Sequence, residues 1–413
     1  MNKHKLFQIV TVAFLLTQLL PPVKLLLPFS EALKIATFVG IASLLFPNLW
    51  KKGSFVALLI YTLETFFYFL FGHPFFDSIN TVINPFLMMG SALLLSEYIF
   101  QYDKDFKFTK LTLIVSVCSL VIMSLISIPI LRTNPNIIRY VYSINSKGDN
   151  EILAATPFLI SWDSVTGIST LIASIVFLCR KVYLKHSWLF YFWLFTLMVF
   201  YYVVFRSNIT TPLVLSSVMI VLALLFSYET LNSKNITKIV LTGLLALALM
   251  TPAVLVPALD FAQSHMTPGG ATYKRMDDMK ATILYGEVSW DSDIETRNEI
   301  MSNSIDLFLE SPLLGTFTPE RIANHSYFAD RLACHGMLFI IPLIMIFIYH
   351  FKSVYRRLIH TKLTYMFGFS AFLFLLIFKS ESVWLFGFFL LPILCRYIDA
   401  ILDHRYDKIY RKL

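Results

Sequence analysis

Apolar runs long enough to cross roughly 30 Å of hydrocarbon recur along this chain, and that recurrence decides its class before any motif is considered. They fall near 6–21, 31–47, 54–72, 79–100, 111–131, 158–179, 187–205, 211–228, 238–258, 333–351, 363–379 and 382–397. The first two are short. Of the 413 residues 57% are hydrophobic and 15% charged, against roughly 25% charged in a soluble domain. The expectation is an all-α, polytopic integral membrane protein of about twelve transmembrane helices, with 1–413 as a single transmembrane domain.

The segments between the runs alternate in basic charge. One set carries Lys3 and Lys5, then Lys51 and Lys52, then Lys104, Lys107 and Lys110, then Arg180, Lys181 and Lys185, then Lys234 and Lys238. It continues with Lys352, Arg356, Arg357 and Lys362 and closes with the tail from Arg396 to Lys412. Short loops rich in Lys and Arg stay on the cytoplasmic side, so twelve spans with both termini inside satisfy every loop. The net charge of +8 is explained by this pattern; membrane lipids are the expected partner, and no nucleic acid is. Met1 to Lys5 and the apolar stretch after them have the outline of a signal peptide. Pro21-Pro22 stands where a small-residue cleavage site would be, which favours a retained first span. Cys118, Cys179 and Cys395 lie in apolar runs or at their ends and Cys334 stands alone, so no disulfide framework is implied.

Two larger loops, about 132–157 and 259–332, face outward in this topology, the second forming a partly helical cap. Within it Thr267–Gly270 marks a turn. Ser292-Asp293-Ile294-Glu295 fits a capping box, and Ile294, Met301, Ile305, Phe308 and Leu309 follow at helical spacing until Ser311-Pro312 and Gly315 end the segment. Arg297 shares that stripe, predicted to face inward, where a guanidinium needs an anion or a carboxylate such as Glu299 or Asp306. Arg206 follows the run ending at Phe205; its plain reading is a side chain snorkelling to the outer interface. His325 precedes the span that starts near Cys334, and His335 competes with it as a candidate base. Two acids fall inside runs, Glu64 near the middle of one and Glu97 nearer a cytoplasmic end. An intramembrane carboxylate is functional by default, which keeps a proton-coupled transporter or flippase open as an alternative. No matching pair of Gly- or Pro-broken helices, the sequence mark of inverted-repeat transporters, is visible.

These residues resemble the O-antigen ligase and O-antigen polymerase superfamily. His325-Ser326, nine residues and Gly336 match the ligase pattern. Arg297 with Met301 resembles an Arg-x-x-x-Leu element, followed by Ser311-Pro312-Leu313-Leu314-Gly315, and Arg206-Ser207 with Thr211 resembles an arginine-bearing turn. The similarity covers roughly 206–340. Phe339 departs from the ligase pattern, as does Met301 from the leucine. Arg275, ten residues and Gly286 echo an arginine–glycine spacing of polymerase loops, without a second copy in the earlier loop.

The resemblance implies glycosyl transfer at the outer face of the bacterial inner membrane from a polyprenyl-diphosphate-linked glycan. A flippase and a chain-length regulator are the implied partners. Under it, Arg206 and Arg297 hold the diphosphate through bidentate contacts, while His325 takes the proton of the acceptor hydroxyl and the anomeric carbon inverts. Arg275, His335 and Glu64 are secondary candidates. No cofactor and no metal are expected, since Asp277-Asp278 and Asp291-x-Asp293 read as solvated acids or helix-start residues. Polymerisation of lipid-linked repeat units is favoured, with ligation to lipid A-core as the alternative.

Overall fold

In the computed structural model helix is the only regular structure among the described residues, which are 2–20, 22–23, 30–72, 79–138, 141, 159–183, 187–226, 252–264, 271–285, 293–316, 326–378 and 383–403. The chain opens with α1 (Lys3–Leu19) and α2 (Glu31–Leu45). Five longer helices follow, α3 (Gly53–Leu70), α4 (Ile79–Tyr102), α5 (Lys107–Thr133), α6 (Trp162–Val182) and α7 (Ser187–Arg206), and these five are long and apolar enough to cross a membrane. After α8 (Thr210–Leu225) come α9 (Pro252–Ser264), α10 (Ala271–Tyr285) and α11 (Asp293–Glu310). The chain then runs through the bent α12 (Tyr327–Arg357), α13 (Lys362–Phe378), a π-helical turn at Phe386–Leu390 and α14 (Leu391–Leu402).

The chain is therefore a membrane protein, all-helical among the described residues, where five helices are able to span by length and composition, or six if the two halves of α12 count as one. The expected count of about twelve is not confirmed by these helices. Helices stand at most of the predicted positions, but α2 has 15 residues, α8 has 16 and α1 and α13 have 17. At about 1.5 Å per residue such helices measure ~22–26 Å, short of the hydrocarbon thickness. Of the expected run 238–258 and of the loop 132–157 most residues lie outside the described set, as does the Thr267–Gly270 turn.

Helix α6 is the hub, buried along nearly its whole length and packed by α7, α8, α13 and α14. Its composition explains this. Ser164, Gly167, Ser169, Thr170, Ala173 and Ser174 keep its surface thin, and small residues are what allow helices to approach closely in a membrane. A Cβ on Gly167 would come within 2.3 Å of the Phe386 ring, so the π-helical turn sits directly on this glycine. The hydroxyls of Ser169 and Thr170 bond back to the carbonyls of Thr166 and Gly167 and need no outside partner.

At the end of the molecule carrying Lys104 and Arg357, buried acids do structural work. Asp103 accepts from Phe108 N at 3.2 Å, from Thr109 N at 2.7 Å and from Thr109 Oγ1 at 2.6 Å, closing the first turn of α5. Asp399 of α14 accepts from Ile359 N, His360 N and Thr361 Oγ1, which fixes the turn between α12 and α13. Helices α9 and α10 are joined by Lys280, whose ammonium lies 2.9 Å from Asp260 and 3.2 Å from Asp277. A hydrogen bond from Gln263, then Lys280, holds the Asp277 carboxyl below its ordinary range.

Helix α11 begins and ends where its punctuation predicts, but its inward face differs. Ser304 and Leu307 are buried, while Ile305 and Leu309 are exposed. The predicted stripe of Ile294, Met301, Ile305, Phe308 and Leu309 leaves out Leu307, the apolar side chain that is fully buried. The packed face is instead the one that fits against α12, where Leu307 meets Ala333 and Cys334 and Ser304 meets Asp330.

Candidate functional site

The first half of α12 carries the polar residues that an apolar span would exclude. Ser326 caps it, its side chain accepting from Ala329 N at 3.2 Å while its own hydroxyl donates to Ile377 O on α13. Asp330 lies one turn on, accepting from Ser326 N at 3.0 Å and from Ser304 Oγ of α11 at 2.8 Å. The short helix is thus tied to both α11 and α13 before it reaches its break.

That break is at Gly336, whose φ of 66° and ψ of −173° are open to glycine alone. The halves Tyr327–Leu338 and Ile340–Arg357 turn from one another by 112°. The amides at the break are taken up by the turn after α11. Met337 N donates to Pro312 O at 2.8 Å, Leu338 N to Leu313 O at 3.4 Å, and Thr316 N to Ala333 O at 2.8 Å. Gly315, with φ 77°, completes the interlock, because a Cβ there would sit 2.1 Å from Cys334 O. Tyr68 of α3 closes it from the far side, donating to Leu314 O at 2.6 Å with His335 O at 3.2 Å.

Two stripes face one another across this contact. On α3, Tyr61, Glu64 and Tyr68 share a face; on the first half of α12, Tyr327, Arg331 and His335 do. The buried His335 ring lies 5.6 Å from Tyr61 and 5.7 Å from Tyr68, and the Arg331 guanidinium stands 5.3 Å over the Tyr327 ring. Arg331 also interacts electrostatically with Tyr61 and Asp330, and Glu64 with Tyr68. One Glu64 carboxylate oxygen is buried and accepts no hydrogen bond from the described residues. A cation, an imidazole, a carboxylate and three phenols held together in this way can bind an anion and exchange a proton.

The sequence-predicted residues are distributed as follows. His335 and Glu64, the secondary candidates, belong to this cluster. Arg206 sits at the end of α7, where Nη2 donates to Leu131 O at 3.3 Å and Arg132 O at 3.2 Å. It therefore binds the carbonyl end of α5, a favourable place for a cation, rather than only snorkelling. Arg132 lies beside it and donates to Tyr202. Arg297 lies on α11, two helical turns before Ser304, and Arg275 lies on α10. The chief neighbours of α7 are α5, α6 and α8, and those of α11 are α12 and α10. His325 is outside the described residues and immediately precedes Ser326. The predictions did not include Arg331, Tyr61 and Tyr68. Spacing offers a signal, since 61, 64 and 68 fall on one helical face, whereas Arg331 lies before the apolar run that starts near Cys334 and reads as loop.

The Tyr68 hydroxyl is shared between the Leu314 and His335 carbonyls on the buried side of the break. Tyr68→Phe is expected to lower stability by about 1–3 kcal/mol, read as a drop in Tm of the purified protein in detergent micelles.

No known protein-family description matches this chain, and no curated protein is similar to it.

Proposed function

We propose that this chain is a membrane glycosyltransferase that polymerises lipid-linked oligosaccharide repeat units at the outer face of a bacterial inner membrane. Its donor is a polyprenyl-diphosphate-linked glycan, and ligation to lipid A-core is the nearest alternative. In this reading the chain crosses the bilayer about twelve times with both termini cytoplasmic, and 259–332 caps the outer face. One observation carries the reading. Two of the stretches that bear the resemblance, Ser311–Gly315 and Ser326–Gly336, interlock backbone to backbone, and their junction borders the Arg331–His335–Glu64 cluster. A lipid-linked substrate keeps its tail in the bilayer, so a polar cluster beside a broken helix suits its reacting diphosphate. Departing diphosphate gathers negative charge, which guanidiniums offset without losing a proton. Arg206 and Arg297 fill that role in the proposal, and His325 activates the acceptor hydroxyl. A flippase that delivers the donor and a chain-length regulator are the partners it implies.

The test is transfer by purified protein supplied with a lipid-linked repeat unit. The native chain is expected to yield a ladder of longer products and His325→Ala to yield none. Arg206→Lys and Arg297→Lys are expected to lose more than charge counting allows, because the two-pronged geometry goes with the guanidinium. A full-rate His325→Ala removes the histidine from catalysis. In a deletion strain, single capped repeats indicate a lost polymerase and long chains stranded on the carrier lipid a lost ligase.

The break at Gly336 also favours a second reading. Discontinuous helices mark the binding sites of many transporters, and Glu64 stands within a spanning helix. Transport is the better account if activity survives removal of 271–310 and is abolished by Glu64→Gln.

A further inference from the structure

The position of the Gly336 break along the membrane normal can be measured against three helices that leave one surface together. Gly53, at the start of α3, lies against Tyr349 of α12, so a Cβ there would be 3.2 Å from the tyrosine ring. Lys52 and Lys352 therefore mark the same end of the molecule, and Lys362 opens α13 after the turn that follows Arg357. From Lys352 back to Ile340 the helical rise is ~18 Å; from Lys52 to Tyr68, which touches the break, ~24 Å; from Lys362 to Ile377, which receives Ser326, ~22 Å. All three fall short of the roughly 30 Å of hydrocarbon, and tilt shortens them further. The break and the turn bonded to it thus end ~6–12 Å before the far surface of the hydrocarbon.

Two further observations agree with that depth. Non-helical backbone within a bilayer must have its polar groups satisfied by protein. At this break Pro312 O, Leu313 O and Ala333 O each accept from an amide, Leu314 O and His335 O share the Tyr68 hydroxyl, and the amides of Met337 and Leu338 each have a partner. The side chains around the junction are the reverse of a water-facing loop. Leu309, Leu313, Leu314, Met337 and Leu338 are each 52–65% exposed. They continue into Ile341, Ile344 and Ile348, the exposed apolar face of the spanning half of α12.

We infer that the Pro312–Leu314 turn and Met337–Leu338 form a re-entrant element seated in the leaflet far from Lys352, with lipid acyl chains as its contact. Helix α11 then lies along that membrane surface with Ile305 and Leu309 turned into it, which accounts for the apolar face it does not bury against α12. The inference requires only that the chain sits in a bilayer and is independent of the proposed glycan transfer. It makes the end of the predicted external loop part of the membrane domain.

The test is depth measurement by nitroxide labelling of the full chain in phosphatidylcholine vesicles. Leu313→Cys and Leu338→Cys are labelled separately, with Asn303→Cys on the exposed side of α11 as a reference. The background carries Cys118→Ala, since Cys118 is partly exposed and the other three cysteines are buried. Labels at 313 and 338 are expected to relax with dissolved oxygen and to be shielded from a water-soluble nickel chelate, and the label at 303 to show the opposite. Nickel access at 313 and 338 equal to that at 303 overturns the inference by placing the turn in water. Shielding from both agents overturns it as well, because protein, such as a second copy of the chain, would then cover the face. Two labelled sites keep the result decisive if one substitution prevents folding.

Discussion

Gly336→Ala is expected to abolish the folded protein rather than merely weaken it. The conformation at φ 66°, ψ −173° belongs to a region that costs other residues of order 1–3 kcal/mol from backbone strain alone. The added methyl would also stand 2.4 Å from Leu313 O and 2.6 Å from Gly315 N. Those atoms belong to the backbone that bonds Met337 and Leu338, so relief by movement breaks the hydrogen bonds closing the helix break. Unmade bonds cost about 1–3 kcal/mol each when the groups stay buried. The sum rivals the whole stability of a typical protein, roughly 5–15 kcal/mol. Gly40→Ala is the control, because nothing lies within 4 Å of its missing Cβ and it sits inside α2 at ordinary helical angles. Yield of monodisperse protein in detergent separates the two, with loss at 336 and native yield at 40. Recovery of normal, thermally stable protein with alanine at 336 would mean that the backbone does not turn there as described.

This glycine also shows how far the sequence could be read. Its place in a His-Ser…Gly spacing drew attention to it, and its resemblance suggested a catalytic neighbourhood. The physical demand it meets, close passage of Leu313 and Gly315 past a broken helix, depends on which loop arrives there and has no local signature. The class of the chain was plain from its apolar runs. The number of true spans was not, because hydropathy records apolar length and says nothing of how helices of 15–17 residues fit the bilayer. Helix α11 is legible in its limits, from the Ser292–Glu295 pattern and Pro312 in the sequence, but not in its face. Two apolar stripes compete on its surface, and the choice between core and membrane is made by α12. Arg206 was legible as a residue at a helix end and only partly as to its purpose, because the α5 carbonyls it meets lie seventy-odd positions away in the chain. Tyr68 and Arg331 acquire meaning only once α3 and α12 are packed together, a contact between segments more than 250 residues apart.

The second large effect concerns how α12 is held at its other end. Glu97 of α4 is 1% exposed, and its carboxylate accepts from Ser353 Oγ at 2.7 Å and Arg357 Nη2 at 3.0 Å. The Arg357 and Arg396 guanidiniums both lie on the Phe100 ring, at 5.6 Å and 5.0 Å. Glu97 is the acid that pairs with Arg357, while Arg396 beside it donates to Asp103 O. Glu97→Gln keeps the shape and the Ser353 bond but leaves Arg357 without its carboxylate, while Arg396 keeps its bond to Asp103 O. Breaking a buried pair costs about 3–5 kcal/mol, and the low end applies because the Arg357 side chain keeps 29% exposure. Arg357→Met alone strands the acid instead and is expected to cost a similar amount. The variant with both changes is expected to be more stable than either single one, since neither charge is then buried without its partner. A double-mutant cycle on Tm in micelles reads this directly, and simple addition of the two losses would show that the pair contributes no coupling. The consequence reaches the candidate site through one rigid element. Arg357 ends the same straight helix that begins at Ile340, beside the Gly336 break. Losing its tie to α4 frees that helix to slide along α3, and such a slide would shift His335 and Arg331 past Tyr61 and Glu64. The Glu97→Gln protein is therefore expected to lose activity in excess of its loss of folded material, and the Glu97→Gln/Arg357→Met protein to recover stability before it recovers activity.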